Sequence, residues 1–180
     1  MPERPHQPWD GFFAEIDAAL TAPLRFDCIG GFVVTQLYGL DRPTADVDVI
    51  ELAPHGTQDE LIALAARGGS LARKHQVYLD RVGVAAVPEN YEERLSEMFP
   101  GAYRYLRLMA LDPYDLALSK LERNSQKDRF DFRFLAKRVP LNPETLERRY
   151  TEEMRWQMGR PEREDLTLRL WLEMMREDAG

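Results

Sequence analysis

Two aspartates, Asp46 and Asp48, stand two residues apart in the run ADVDVIEL, alternating with valines. In a strand, residues i and i+2 share a face, so both carboxylates project the same way with α-carbons about 7 Å apart. Carboxylates that close repel each other, and a hard divalent cation with oxygen ligands, such as Mg²⁺, is the natural remedy. The other reading is the exposed polar face of a surface strand. Val47, Val49, Ile50 and Leu52 weigh against it by making the strand read as well buried, and aspartate is a poor strand former. Upstream, Gly30-Gly31 interrupts an apolar run. Such a pair at a strand-to-helix junction exposes backbone N–H groups at a helix N-terminus, where anions bind. Alone it reads first as a tight turn needing positive φ. Beside the aspartates it reads as backbone approaching a phosphate next to a metal.

The elements that must position these residues follow from the local pattern. Asp10 is placed to cap a helix running to about Leu20, with Phe12, Phe13 and Ile16 on its apolar side. Phe26 to Ile29 reads as a short buried strand. Phe32 to Tyr38 is apolar nearly all round and predicts a buried helix with Gly39 as its C-terminal cap. The turn Asp41-Arg42-Pro43-Thr44 leads into a strand from Ala45 to Leu52. Helices are expected over 59–66 and 70–74, then strand-like runs at 77–79 and 82–87 with Asp80-Arg81 as a turn or bulge between them. A helical piece at 91–98 and a strand at 104–111 complete this part.

The last third reads as helical. Asp112-Pro113 is a strong helix start, predicting a helix to about Arg123. Ser125 and Asp128 resemble a capping box opening the next helix, 126–138. Asn142-Pro143 begins a third, to about Gln157, and Gly159-Arg160-Pro161 reads as a hinge before a final helix over 164–176. That last helix has apolar residues on both faces, as if clamped by the domain or a partner chain. The expected organisation is a loose N-terminal tail over 1–9, an α/β core over 10–111 and a helical region over 112–180. The succession αβαβα with a helical third predicts an α/β or α+β domain.

Composition narrows the function classes. A net charge of −7 argues against a general nucleic-acid binder, which needs a broad basic surface. The single cysteine, Cys28, excludes an internal disulfide and reads as packing. His6, His55 and His75 have no zinc-ligand spacing. No apolar run approaches the roughly 20 residues a membrane helix needs, and the N-terminus lacks a signal-peptide core. A cytoplasmic protein with no membrane association is expected.

The run of Gly-Gly, an apolar helix and then R-x-T-x-D-x-D (Arg42, Thr44, Asp46, Asp48) resembles the core of the polymerase-β-type nucleotidyltransferase superfamily. More closely it resembles the minimal branch that includes the AbiEii-like toxins of toxin–antitoxin systems. The stretch DLALSKLERNSQKDRFDF, 115–132, is similar to that branch's downstream motif, with Lys120, Lys127, Asp128 and Asp131 at the matching places. The resemblance covers about residues 26–138.

It implies a small mixed β-sheet of nucleotidyltransferase type packed by helices, and Mg²⁺-dependent transfer of a nucleotidyl group from an NTP to a hydroxyl of RNA, a protein or a small molecule. It also implies a cognate antitoxin as a partner. By position, Gly30 and Gly31 would cradle the triphosphate, with Arg42 contacting a phosphate and Thr44 fixing the turn. Asp46 and Asp48 would hold Mg²⁺, Lys120 would neutralise phosphate charge, and Asp128 would be a further carboxylate. On the residues alone, Lys120 also reads as a solvated helix lysine, Asp128 as a helix-start carboxylate and Asp131 as a helix ion-pair partner.

Two departures bear on catalysis. Larger members carry a third carboxylate on a later core strand, yet YRYLRLMAL has Arg104 and Arg107 and no acid; Asp80 is the nearest candidate unless Asp128 substitutes. The glycine pair replaces Gly-Ser. A non-catalytic module that keeps this fold and binds a nucleotide or partner protein is the alternative.

Overall fold

The computed structural model describes residues 3–54, 56, 58–83 and 85–179. The chain divides into two compact units, one of Met1–Val84 with Leu95–Ala110 and one of Ala85–Arg94 with Leu111–Gly180. Among the described residues no helix is long and apolar enough to cross a membrane.

The first unit holds α1 (Trp9–Ala19), β1 (Leu24–Ile29), α2 (Gly30–Tyr38), β2 (Asp46–Ala53), α3 (Asp59–Ala65), α4 (Ser70–His75), β3 (Tyr78–Arg81), β4 (Ser96–Met98) and β5 (Leu106–Ala110). The strands form a mixed sheet in the order β3-β2-β1-β5-β4. β1 is antiparallel to β2 and parallel to β5, β2 is parallel to β3, and β4 is antiparallel to β5. A register shift opposite Asp27/Cys28 inserts Ile50 into β2. That bulge lets Leu52 join Val47 and Val49 on the buried face while Glu51 follows Asp46 and Asp48 on the other.

Aromatic packing sets α1 and α2. Trp9, Phe12, Phe13 and Phe32 are all buried, with Trp9 and Phe32 rings 4.7 Å apart. Asp10 is not the cap of α1; Pro8 precedes the helix and no side chain caps it. The Asp10 carboxylate instead accepts from Arg4 Nη1 and the Tyr103 hydroxyl. Asp17 secures the start of β5 by accepting backbone N–H bonds from Arg104, Tyr105 and Leu106 at 2.7–3.0 Å. Burial pushes its carboxyl up, and these three bonds outweigh that and hold it below the usual range.

Three sequence expectations here need correction. Asp80-Arg81 is no turn: both residues belong to β3 and pair with Asp48 and Val49. Residues 82–83 and 85–87 are not strand, and Val84 lies outside the described residues, as does His55. The piece at 91–98 is a 3-10 turn, Tyr91–Arg94, followed by β4 rather than one helix.

The second unit holds α5 (Pro113–Leu118), α6 (Gln126–Arg138), α7 (Pro143–Arg149) and α8 (Pro161–Ala179). Asp112 caps α5, and the Ser125/Asp128 capping box opens α6 as its sequence announces. α5 is shorter than expected, because the chain tightens into three-residue turns at Lys120 and Leu121. The helix expected to reach Gln157 stays helical only in part: α7 passes into a π-helical turn at Tyr150–Met154 and a 3-10 turn at Arg155–Gln157. The final helix starts at Pro161, within the expected hinge. Trp171 packs on Phe132 with ring centroids 4.3 Å apart, whereas Leu166 and Leu170 are about half exposed. Arg94 ties the 85–94 segment into this unit through Asp115 at 2.8 Å and Glu153 at 2.7 Å.

Candidate active site

Gly30 directly follows β1 and begins α2 with φ +75°, a left-handed conformation that glycine adopts at little cost. A β-carbon built there would collide with Oδ2 of Asp48 and stand 3.2 Å from its Cγ. The start of α2 is therefore in direct apposition to the second aspartate of β2. No side chain caps α2; its N-cap is Ile29. The orphan N–H groups and the dipole of this end favour an anion.

Gly31 faces a different pair. A β-carbon there would lie 3.3 Å from Arg42 Nη2 and 3.4 Å from Thr44 Oγ1. Thr44 in turn donates its hydroxyl to Asp46 Oδ1 at 2.7 Å. The structure thus brings Gly30, Gly31, Arg42, Thr44, Asp46 and Asp48 into one neighbourhood of the α/β unit.

Asp46 and Asp48 are half-buried and alternate along β2 with the fully buried Val47 and Val49. On β3 their partners are Tyr78 and Asp80. Adjacent strands are about 4.8 Å apart, and paired residues share a face, so Asp80 extends the acidic row by one strand. The field of these carboxylates is felt nearby. Burial, then the charges of Asp27 and Asp48, push the Cys28 thiol far up. Burial, then Asp46, pushes the Tyr78 phenol up. Cys28 is fully buried, as its apolar setting suggested, and is an inert packing residue.

Among the described residues no three His, Cys, Asp or Glu side chains gather closely enough to hold a metal by themselves. The donor set still fits Mg²⁺ of the kind that travels with a nucleotide. Such an ion takes one or two carboxylates, and phosphate oxygens and water complete its shell. Asp46 and Asp48 would supply those two.

Sequence reasoning passed over Asp27. Phe26 to Ile29 reads as a plain buried strand, yet Asp27 within it is fully buried and ion-paired to Arg25 at 2.9 Å. The available signal was one used for Asp46: aspartate is a poor strand former.

Lys120 and Asp128 belong to the helical unit. Lys120 is 3% exposed, and its ammonium donates to the fully buried Asp131 at 3.0 Å. Asp128 accepts a two-pronged bond from Arg123 at 2.6 and 2.7 Å and closes the capping box with Ser125. Burial pushes its carboxyl up, but Arg123, the Ser125 hydroxyl and the Ser125 N–H outweigh it and hold the pKa at about 2. Lys127 is exposed.

A family described as "Nucleotidyltransferase of unknown function (DUF6036)" matches residues 13–177. The chain belongs to this nucleotidyltransferase family. Its mixed sheet, its packing helices and its helical C-terminal third accord with a nucleotidyltransferase-type fold. No curated protein and no solved structure matches the chain. Membership covers the α/β unit and the helical unit alike, and it supports nucleotidyl transfer in general.

Proposed function

We propose that this nucleotidyltransferase moves a nucleotidyl group from an NTP to a hydroxyl acceptor at a site built on Gly30, Gly31, Asp46 and Asp48. The observation that carries the reading is the apposition of Gly30 and Asp48, which sets an uncapped helix start beside a carboxylate strand. Anion-binding N–H groups and cation-binding oxygens then serve the same ligand, a metal-bound triphosphate. Mg²⁺, when bound, would neutralise phosphate charge and favour the attacking alkoxide.

The chain's own groups would divide the remaining work. The N–H groups of Gly30 and Gly31 hold phosphate oxygens, and Arg42 adds positive charge beside Gly31. Thr44 fixes the Asp46 carboxylate through its hydrogen bond. Asp80, in register with Asp48, is the strand carboxylate that the Tyr103–Leu111 stretch lacks, and it would receive the acceptor's proton. The acceptor oxygen bonds to the α-phosphorus, the bond from that phosphorus to the bridging oxygen breaks, and pyrophosphate leaves. Lys120 and Asp128 would hold α5 and α6 in place through their ion pairs instead of meeting phosphate.

The acceptor class (RNA, protein or small molecule), a defence role with an antitoxin partner, and a cytoplasmic location rest on the motif resemblance and on the single buried cysteine. A second reading, a non-catalytic nucleotide-binding module, draws on the engagement of Lys120 with Asp131. The two separate on incubation with each α-³²P-labelled NTP, Mg²⁺ and total RNA. Covalent label on RNA or on the chain itself, lost on chelation, supports transfer. A signal that Asp48→Asn leaves unchanged would remove the site assignment.

A further inference from the structure

A cavity of about 410 Å³ opens in the α/β unit beside the proposed phosphate site. His6, Trp9, Gln36, Asp41, Arg42 and Thr44 are among the residues that line it. Its place relative to the phosphate site is set by two side chains that serve both. Arg42 lies against Gly31, and Thr44 lies against Gly31 and bonds Asp46. A ligand filling the cavity would therefore touch two of the groups that border the triphosphate. From Gly31 to Gln36 the helix rises about 7.5 Å, so the cavity runs along α2, away from its phosphate-binding end.

The lining has the character of a small-molecule site, with apolar surfaces and a few polar groups. Pro8, Leu40 and Pro43 supply apolar wall. Gln36 Oε1 accepts from the His6 backbone N–H at 2.9 Å, which fixes the amide and leaves its NH₂ as a donor. Asp41 is exposed on the rim and offers acceptors only. Fixed donors and acceptors beside apolar walls suit a flat ring with polar edges. A cavity of this volume takes one nucleoside and not a length of polynucleotide, and the chain's net charge of −7 also disfavours the latter.

We infer that this cavity takes the nucleoside half of the NTP, and that Gln36 and Asp41 select its base. The inference rests on the phosphate site proposed above. It adds a determinant of base choice on α2 and on the turn before β2.

The test is calorimetric titration of the full chain with Mg²⁺ and, separately, each of the four NTPs and inorganic tripolyphosphate. The wild type should bind at least one NTP ten-fold or more tighter than tripolyphosphate, with clear differences among bases. Gln36→Ala and, independently, the surface change Asp41→Ala should each shrink the advantage of that NTP to within about three-fold, with tripolyphosphate affinity unchanged. Tripolyphosphate binding as tight as every NTP would overturn the cavity assignment and leave the phosphate site standing. So would a base preference unmoved by both variants. Failure of tripolyphosphate and all NTPs to bind would overturn the phosphate site, and the cavity assignment with it.

Discussion

Gly30 is pressed so closely against Asp48 that a β-carbon at residue 30 would collide with the carboxylate Oδ2 and push it aside. Its φ of +75° independently strains any side chain placed there. Gly31, one residue on, has no positive φ, and a β-carbon there would come closest to Arg42 Nη2 at 3.3 Å and Thr44 Oγ1 at 3.4 Å, tight contacts short of collision. The two glycines should therefore respond differently to the same change. Gly30→Ala should lose about 1–2 kcal/mol from its backbone conformation alone, with displacement of Asp48 added to that. Gly31→Ala should cost less. Urea denaturation of both variants measures the difference, and equal losses would contradict the geometry.

Lys120 and Asp131 form an ion pair with side chains 3% and 0% exposed. Removing one member of a buried pair strands the other, so Lys120→Met should destabilise by about 3–5 kcal/mol. The double change Lys120→Met with Asp131→Leu should recover most of that loss, because both charges are then gone. If the double variant is stable and still transfers nucleotide, Lys120 is structural. If it is stable and inactive, Lys120 has a direct role in the chemistry after all.

Asp128 has a folded-state pKa of about 2, below the ordinary carboxyl value. A depressed carboxyl contributes stability that is complete above the unfolded-state pKa of about 3.9 and is lost as pH falls through the folded value. The helical unit should weaken between about pH 4 and pH 2. Arg123 is 68% exposed, so solvent and salt reduce its share of the effect. Urea midpoints followed from pH 5 downward should fall less steeply in Asp128→Asn than in the wild type. Parallel slopes would show that Asp128 does not carry this dependence.

Asp80 is exposed and pairs in register with Asp48. As the proton acceptor, its change to Asn should lower kcat by about 10²–10⁴-fold with nucleotide affinity held. Asp46→Asn and Asp48→Asn should weaken Mg-nucleotide binding as well. Single-turnover rates alongside titration separate the two classes, and an Asp80→Asn enzyme of wild-type rate would exclude the residue from the reaction.

The parts legible in the sequence are those fixed by neighbours in the chain. The Asp/Val alternation of β2, the Asp112-Pro113 start and the Ser125 capping box all rest on contacts within a few residues. The parts that were not legible depend on distant partners. Asp80-Arg81 resembles a turn, and becomes strand only because β2 offers a parallel edge to four residues. Arg94 enters the helical unit through Asp115 and Glu153, far along the chain. Lys120 reads as a phosphate-neutralising or a solvated lysine until Asp131, eleven residues later, is seen beside it. In the candidate site, the order of Gly30, Asp46 and Asp48 was readable. The closure of Gly30 on Asp48 and the register that brings in Asp80 were not, since both are made by strand pairing.

The most direct test of the central claim follows the two ends of the triphosphate. The chain is incubated with Mg²⁺ and an NTP labelled at the α- or the γ-phosphorus, using wild type, Asp46→Asn and Asp48→Asn of verified fold. The expected result is covalent transfer of the α-label only, with γ-label released as pyrophosphate, and loss of both signals in each variant. Transfer of the γ-label, or α-transfer that persists in both variants, would contradict a nucleotidyl-transfer site at Asp46 and Asp48.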